Sequence, residues 1–173
     1  MRKFALILAC AALPLAAQSL SGRRAPSFSL PDSKLQQHDI LDYRGKWLLL
    51  DFMKTDCPHC KALSQTLEGV RRRFEGKVAI LSIVISPPED MNTVGKYMTE
   101  NKLTNPIAFD MGQVAIVYFQ ATPQRSSFDT PHLFLIDPDG KIVRDWGESG
   151  QTREILEGKG LAATLDVLLS AKK

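Results

Sequence analysis

Residues 47–60 of the chain are Trp-Leu-Leu-Leu-Asp-Phe-Met-Lys-Thr-Asp-Cys-Pro-His-Cys. The first four are continuously apolar, which predicts a fully buried strand. After the second cysteine, Leu63 and Leu67 are four positions apart within residues 61–68, a spacing typical of one face of a helix. The two cysteines are therefore expected where a strand passes into a helix.

Two cysteines at the start of a helix have a characteristic chemistry. Cys57 and Cys60 are one helical turn apart, which is close enough to form a disulfide when Cys57 begins the helix. The unsatisfied N–H groups and the positive end of that helix would stabilise the Cys57 thiolate over the thiol. Because a thiolate is the species that attacks disulfides, the sequence predicts a redox site.

A structural zinc site is the alternative interpretation of the pair. Such a site needs two more ligands, usually a second pair of cysteines or histidines. Besides His59, the chain offers only Cys10, His38 and His132, and none of them is paired at ligand spacing. We therefore expect no metal here, and we expect His38 to be a surface loop residue.

The amino terminus, residues 1–17, has the layout of a secretory signal peptide. Arg2 and Lys3 supply its positive end, and a nearly continuous apolar run extends from there to Ala17, where small residues offer a cleavage site. This run is too short to span a bilayer comfortably as a helix. Lipoprotein cleavage before Cys10 is the alternative, but few apolar residues precede that cysteine.

The remainder, residues 18–173, is predicted to form one exported domain in the periplasm or another extracytoplasmic space, with no stable membrane insertion after cleavage. A hydrophobic content of 44% and a charged content of 24% are typical of a soluble domain that buries a core. Loss of Arg2 and Lys3 leaves 20 basic and 19 acidic residues, so the net charge falls from +3 to +1. No basic patch remains that would favour nucleic acid. Disulfides persist outside the cytoplasm.

The rest of the chain alternates between strand and helix patterns, which predicts a central mixed sheet with helices on both faces. The predicted strands are Arg24–Asp32, Val78–Ile85, Pro106–Asp110, Leu133–Asp137 and Lys141–Trp146, the last two joined by a hairpin turn. The predicted helices are Glu89–Asn101, Gln113–Phe119 and Arg153–Ser170, with a short helical turn before Gly45.

Three motifs, Ala25–Leu30, Trp47–Cys60 and Thr130–Val143, resemble the exported TlpA/ResA-like thioredoxins, which are also grouped with the AhpC/TSA redoxin domains. The helix and strand between about Glu89 and Asp110 correspond to what that group adds to a plain thioredoxin. The likeness covers nearly all of the chain after the leader. It implies an α/β thioredoxin fold, a central mixed β-sheet flanked by helices, with an N-terminal extension strand and a central helix–strand insertion.

The resemblance also implies roles for individual residues. Cys57 would be the nucleophile that forms a mixed disulfide, and Cys60 the buried thiol that resolves it. Asp51 would be a buried general base for Cys60. An ordinary strand-end acid is the alternative, but a carboxylate in so apolar a run is costly unless it has a role. Pro131 would be the family's cis-proline, with the backbone of Thr130 pairing with the substrate strand.

Several residues depart from the family pattern and would modulate the site. Asp56 replaces a tryptophan common in relatives, and its charge should disfavour the adjacent thiolate. The Pro58-His59 dipeptide is found in strongly oxidising DsbA-type enzymes, and a histidine beside the thiolate stabilises the reduced form. His132 follows the proline directly and, with the long loop 120–129, would border the site.

These residues predict an exported thiol–disulfide oxidoreductase with no cofactor beyond the Cys57–Cys60 disulfide. Its partners would be a protein disulfide or dithiol substrate and a second protein that recycles the cysteine pair. The fold and the expected Asp51 base favour a reductant, of the cytochrome c maturation or thiol-repair kind, over an oxidase. His59 instead favours an oxidase.

Two other functions remain open at this point. Cys57, Cys60 and a nearby imidazole, that of His132 or His59, would suit Cu(I) in a copper chaperone, although thioredoxin-fold copper proteins space their thiols by three residues. A peroxiredoxin-type peroxidase expects Pro-x-x-x-Thr-x-x-Cys. Here Thr55 is two rather than three residues before the first cysteine, and residue 51 is Asp rather than Pro.

Overall fold

The computed structural model describes residues 21–147, 152–158 and 160–171. The predicted signal peptide, residues 1–17, and Cys10 within it lie outside the described residues. Within the described ranges, no helix combines the length and the apolar character that crossing a membrane requires.

The described segments alternate between strands and helices. In chain order they are β1 (Ser29–Pro31), β2 (Gln37–Asp39), a 3₁₀ turn (Ile40–Tyr43), β3 (Trp47–Phe52), α1 (Pro58–Arg73), β4 (Val78–Ile85), α2 (Met91–Glu100), β5 (Ile107–Asp110), α3 (Gln113–Phe119), β6 (His132–Ile136), β7 (Ile142–Trp146), α4 (Arg153–Glu157) and α5 (Gly160–Ala171).

A five-stranded mixed sheet with the order β5-β4-β3-β6-β7 forms the centre of the domain. β3 is parallel to β4 and antiparallel to β6, and β5 extends the sheet in parallel beside β4. Every residue of β3 is buried, because the strand lies in the middle of the sheet with packed side chains on both faces. This burial explains the apolar run at residues 47–50.

The two faces of the sheet carry separate apolar cores. Successive side chains of a strand point to opposite faces, so Leu48, Leu50 and Phe52 pack with α3, whereas Leu49 packs with α1 and α5. Asp51 shares the face of Leu49 and therefore points toward α1. The predicted mixed sheet with helices on both faces is confirmed.

The N-terminal extension and the central insertion are also present. β1 and β2 form a separate two-stranded antiparallel sheet, and β1 covers only the end of the predicted strand Arg24–Asp32. The insertion consists of α2 and β5. Asp90 caps α2 by accepting a hydrogen bond from the N–H of Thr93, and the buried Val94 and Tyr97 face the redox end of α1.

Two local predictions were wrong. The carboxyl-terminal helix is divided, because α4 ends before Gly158 and α5 begins at Gly160. A Cβ atom at Gly158 would lie 2.8 Å from the carbonyl oxygen of Glu154, so the close approach at this break requires a glycine.

His38 is not a surface loop residue but a buried residue of β2. Its Nε2 lies 3.1 Å from Asp32 Oδ2 and its Nδ1 lies 2.9 Å from the hydroxyl of Tyr43. A polar side chain is stable in the interior when its hydrogen bonds are made, and both ring nitrogens of His38 have partners here. The imidazole therefore joins the extension sheet to the 3₁₀ turn.

Candidate active site

Cys57 occupies the N-cap of α1, at the point where the chain leaves β3. Its Sγ accepts a hydrogen bond from the N–H of Cys60 at 3.2 Å. Pro58 takes the first helical position, where its missing N–H is no loss. Cys57 is partly exposed, and its thiol lies among the free N–H groups at the positive end of the helix. Cys57 is therefore the thiol that an incoming substrate can reach.

Cys60 has the opposite environment. It is fully buried, with 0% of its surface exposed, among the apolar side chains Met53, Val84 and Val94. Burial raises the pKa of the Cys60 thiol, and the hydrogen bond with Cys57 and the nearby negative charge of Asp51 act in the same direction. Cys60 therefore needs a base before it can act as a nucleophile.

Asp51 is a buried acid on the same face of the sheet. Its Oδ2 accepts a hydrogen bond from the hydroxyl of Ser82 at 3.2 Å, and its Oδ1 has no hydrogen-bond partner among the described residues. Burial raises the pKa of Asp51 from 3.8 to about 7, although the bond from Ser82 lowers it. A carboxyl with a pKa near neutrality can both accept and return a proton.

The loop before β6 lies against Cys57. The peptide bond between Thr130 and Pro131 is cis, as the resemblance implies. The Cys57 thiol points to the carbonyl oxygen of Thr130, at a distance of 3.7 Å. The structure therefore brings the first cysteine and the proline loop together.

His59 projects from the first turn of α1, and its side chain is partly exposed. Its Nδ1 is hydrogen-bonded to the carboxylate of Glu157 on α4. This carboxylate places negative charge next to the imidazole, two residues from Cys57. Asp56, exposed and adjacent to Cys57, adds further negative charge. Glu157 was missed in the sequence, because 98 residues separate it from His59.

His132 is the first residue of β6, and side chains of neighbouring elements contact its ring. Its Nε2 lies 2.6 Å from Oδ1 of Asp145 on β7, and its ring contacts Phe119 and Phe134. Within the part of the chain that the structure describes, no three His, Cys, Asp or Glu side chains form a group suited to a metal ion. The structure therefore does not assemble the copper ligands considered from the sequence.

The central insertion contributes two polar residues to the surroundings of the redox segment that sequence reasoning also missed. The hydroxyl of Tyr97 on α2 is hydrogen-bonded to that of Ser64 on α1 at 3.0 Å. Burial raises the pKa of Tyr97 to about 12. At the start of the insertion, the carboxylate of Glu89 accepts hydrogen bonds from the N–H and the hydroxyl of Thr55. Both contacts attach the insertion to the segment carrying the cysteines.

Comparison with known proteins identifies related chains. The model of the AhpC/TSA family matches residues 21–144. The thiol-disulfide oxidoreductase ResA of Bacillus anthracis is 30% identical over 138 residues, which cover 79% of this chain and 75% of that protein. ResA of Geobacillus thermodenitrificans is 30% identical over 124 residues, which cover 71% of this chain and 67% of that protein.

Solved structures show the same fold. The thioredoxin domain of a thiol-disulfide oxidoreductase from Bacteroides vulgatus superposes with a TM-score of 0.69 at 22% sequence identity, covering 86% of this chain and 96% of that one. This likeness confirms the predicted thioredoxin fold.

Proposed function

Since the chain belongs to the AhpC/TSA family and is a thiol–disulfide oxidoreductase of thioredoxin fold, we propose that it is an exported reductant of protein disulfides. The observation that carries the proposal is the contrast between the two thiols. Cys57 is partly exposed at the start of a helix, whereas Cys60 is fully buried one turn later. This contrast supports one thiol that meets the substrate and another that acts internally.

In the first step the Cys57 thiolate attacks one sulfur of a substrate disulfide. The substrate S–S bond breaks, a new S–S bond joins Cys57 to the substrate, and the second substrate sulfur leaves as a thiolate that takes up a proton. The start of α1 stabilises the attacking thiolate. The backbone at Thr130, next to the Cys57 thiol, is suited to align the substrate strand.

In the second step Cys60 resolves the mixed disulfide. Asp51 accepts the proton of the Cys60 thiol, and the resulting thiolate attacks Sγ of Cys57. The bond to the substrate breaks, the substrate sulfur that was joined to Cys57 leaves as a thiolate that takes up a proton, and the substrate departs as a dithiol while Cys57 and Cys60 become a disulfide. Two electrons pass from the protein to the substrate, so a second protein must reduce the pair before the next cycle.

The proposed direction depends on the charges around Cys57. A stabilised thiolate makes a disulfide more oxidising, and destabilising the thiolate makes it more reducing. Glu157 is hydrogen-bonded to His59 and adds negative charge beside it, and Asp56 is negative and adjacent to Cys57. Both effects support a reductant, although the Pro-His dipeptide alone favours an oxidant.

Export is proposed from the signal-like residues 1–17. Amino-terminal sequencing of the protein recovered from the extracytoplasmic fraction of its host would test it, with a new terminus near residue 18 expected. A protein that retains Met1 in the cytoplasm would contradict this part of the proposal.

Trapping the mixed disulfide tests the assignment of the two thiols. With a disulfide-containing peptide, C60S should accumulate a covalent adduct at Cys57, because the resolving thiol is absent. C57S should form no adduct, since Cys60 is buried. Mass spectrometry under non-reducing conditions distinguishes the two results. An adduct on Cys60 in C57S, with none on C60S, would reverse the assigned roles.

A further inference from the structure

A cavity of about 370 Å³ lies beside the redox loop and has no part in the steps above. Its volume falls at the lower end of the range for ligand-binding cavities, about 300–1,000 Å³. Asp56, which precedes Cys57, and Thr130, whose carbonyl contacts the Cys57 thiol, both line it. The cavity therefore adjoins the position at which a substrate disulfide reacts.

Most of the cavity wall is apolar. Of the apolar residues that line it, Ile85, Pro88 and Phe128 are partly or fully exposed, whereas Phe52 and Ile83 are almost completely buried beneath them. Such a surface would cover the hydrocarbon part of an inserted side chain and remove it from water.

Glu89 adds a buried carboxylate to this apolar surface. The residue is 7% exposed, and Thr55 donates to it from its N–H at 2.8 Å and from its hydroxyl at 2.9 Å. Among the ion pairs formed between described residues, none involves Glu89. A buried carboxylate is costly without an opposite charge, and the cavity has room for a group that would supply one.

The other charged residues at the cavity do not provide this counter-charge. Lys54 and Asp56 both line it, but both are exposed and they have opposite signs. Because both are exposed, water screens their charges. Glu89 is therefore the charge that determines which group the interior favours.

We propose that the cavity binds a lysine or arginine side chain of the substrate protein, close to the cysteine that reacts with Cys57. The alkyl stem of that residue packs against Phe128, Ile85 and Pro88, and its cationic end pairs with Glu89. This inference rests on the proposed reaction with protein disulfides. Thr55, which holds Glu89, is two residues from Cys57 and thus within about 8 Å of it. A residue one to three positions from the substrate cysteine can span this distance.

The test uses short peptides that contain one internal disulfide and differ at a single position. Lysine or its uncharged analogue norleucine is placed in turn at one, two and three residues from each cysteine. The second-order rate constant for oxidation of the pre-reduced protein is measured in a single turnover, so no recycling partner is needed. At one position at least, the lysine peptide should react about tenfold faster than the norleucine peptide.

The variant E89Q should reduce this preference to within about twofold by slowing the lysine peptide alone. E75Q is the matched control, because Glu75 is exposed just beyond the far end of the 16-residue helix α1, about 24 Å from Cys57. E75Q should keep the full preference. If Glu89 only fixed the loop at Thr55, E89Q would slow both peptides equally, and this result would overturn the proposal.

The comparison of peptides on the unaltered protein is decisive even if E89Q does not fold. Equal rates for lysine and norleucine at every position, or faster reaction of norleucine, would overturn the proposed subsite while leaving the oxidoreductase activity intact. Failure of every peptide to oxidise the protein would instead contradict the proposed function itself.

Discussion

Replacing Asp51 by asparagine should change how the stability of the protein depends on pH. Asp51 is fully buried, and burial raises its pKa from 3.8 to about 7. In the folded protein the carboxyl therefore keeps its proton to about pH 7, whereas in the unfolded chain it loses the proton near pH 3.8. Between these values the native state binds more protons, so the free energy of unfolding falls as pH rises.

The size of this fall follows from the pKa difference. About three pKa units correspond to a loss on the order of 4 kcal/mol, complete above about pH 7 and absent below about pH 4. The asparagine in D51N has no proton to lose, so this contribution to the pH dependence disappears. From pH 4 to pH 8, the free energy of unfolding of D51N should therefore rise by on the order of 4 kcal/mol relative to that of the unaltered protein.

Urea unfolding of both proteins, reduced and at equal ionic strength, measures this difference at the two pH values. The asparagine N–H groups lower the stability by an amount that does not depend on pH. The quantity to follow is therefore the free energy of unfolding of D51N minus that of the unaltered protein, compared between pH 4 and pH 8. S82A is the control. It removes the hydrogen bond that lowers the pKa of Asp51, so its stability should keep falling to a higher pH. A difference between D51N and the unaltered protein that is equal at pH 4 and pH 8 would refute the reasoning.

Three further predictions concern the site and the carboxyl-terminal helices. E157Q removes the carboxylate that is hydrogen-bonded to His59 and should raise the reduction potential of the Cys57–Cys60 pair by on the order of 20 mV. Equilibration with glutathione measures this potential, and a lower value in E157Q would contradict the charge argument. Iodoacetamide should modify Cys57 on the order of 100-fold faster than the buried Cys60, as peptide mapping would show, and equal rates would exclude the thiol assignment. G158A should destabilise the protein by about 1–3 kcal/mol because its Cβ meets a carbonyl oxygen. G69A lies within α1 without a close neighbour and should instead stabilise the protein by about 0.5–1 kcal/mol. The opposite order of the two stabilities in urea unfolding would contradict this account.

The sequence was sufficient for features that depend on neighbouring residues. The apolar run before Asp51 predicts a strand buried on both faces, and the helical spacing after Cys60 predicts α1. The position of Cys57 at the helix start follows from the same two patterns. These features are local because burial and periodicity within one element determine them.

The features that were missed depend on contacts between distant segments. Glu157 meets His59 only after α4 packs beside α1, and Glu89 meets Thr55 only after the insertion folds over the redox loop. His38 is an exception, because its partners Asp32 and Tyr43 are only six and five residues away, but they meet its ring only when the chain folds into β1, β2 and the 3₁₀ turn. Hydrophobic periodicity indicates which face of an element is buried, but it does not identify the polar partner on another element.

The reduction potential of the Cys57–Cys60 pair tests the central claim most directly. The protein is equilibrated with glutathione and with dithiothreitol buffers, and the fraction of disulfide is measured after acid quenching and alkylation. A reductant should have a potential near about −270 mV or below. A potential near about −120 mV would place the protein with the strong oxidants and contradict the proposed direction of electron flow.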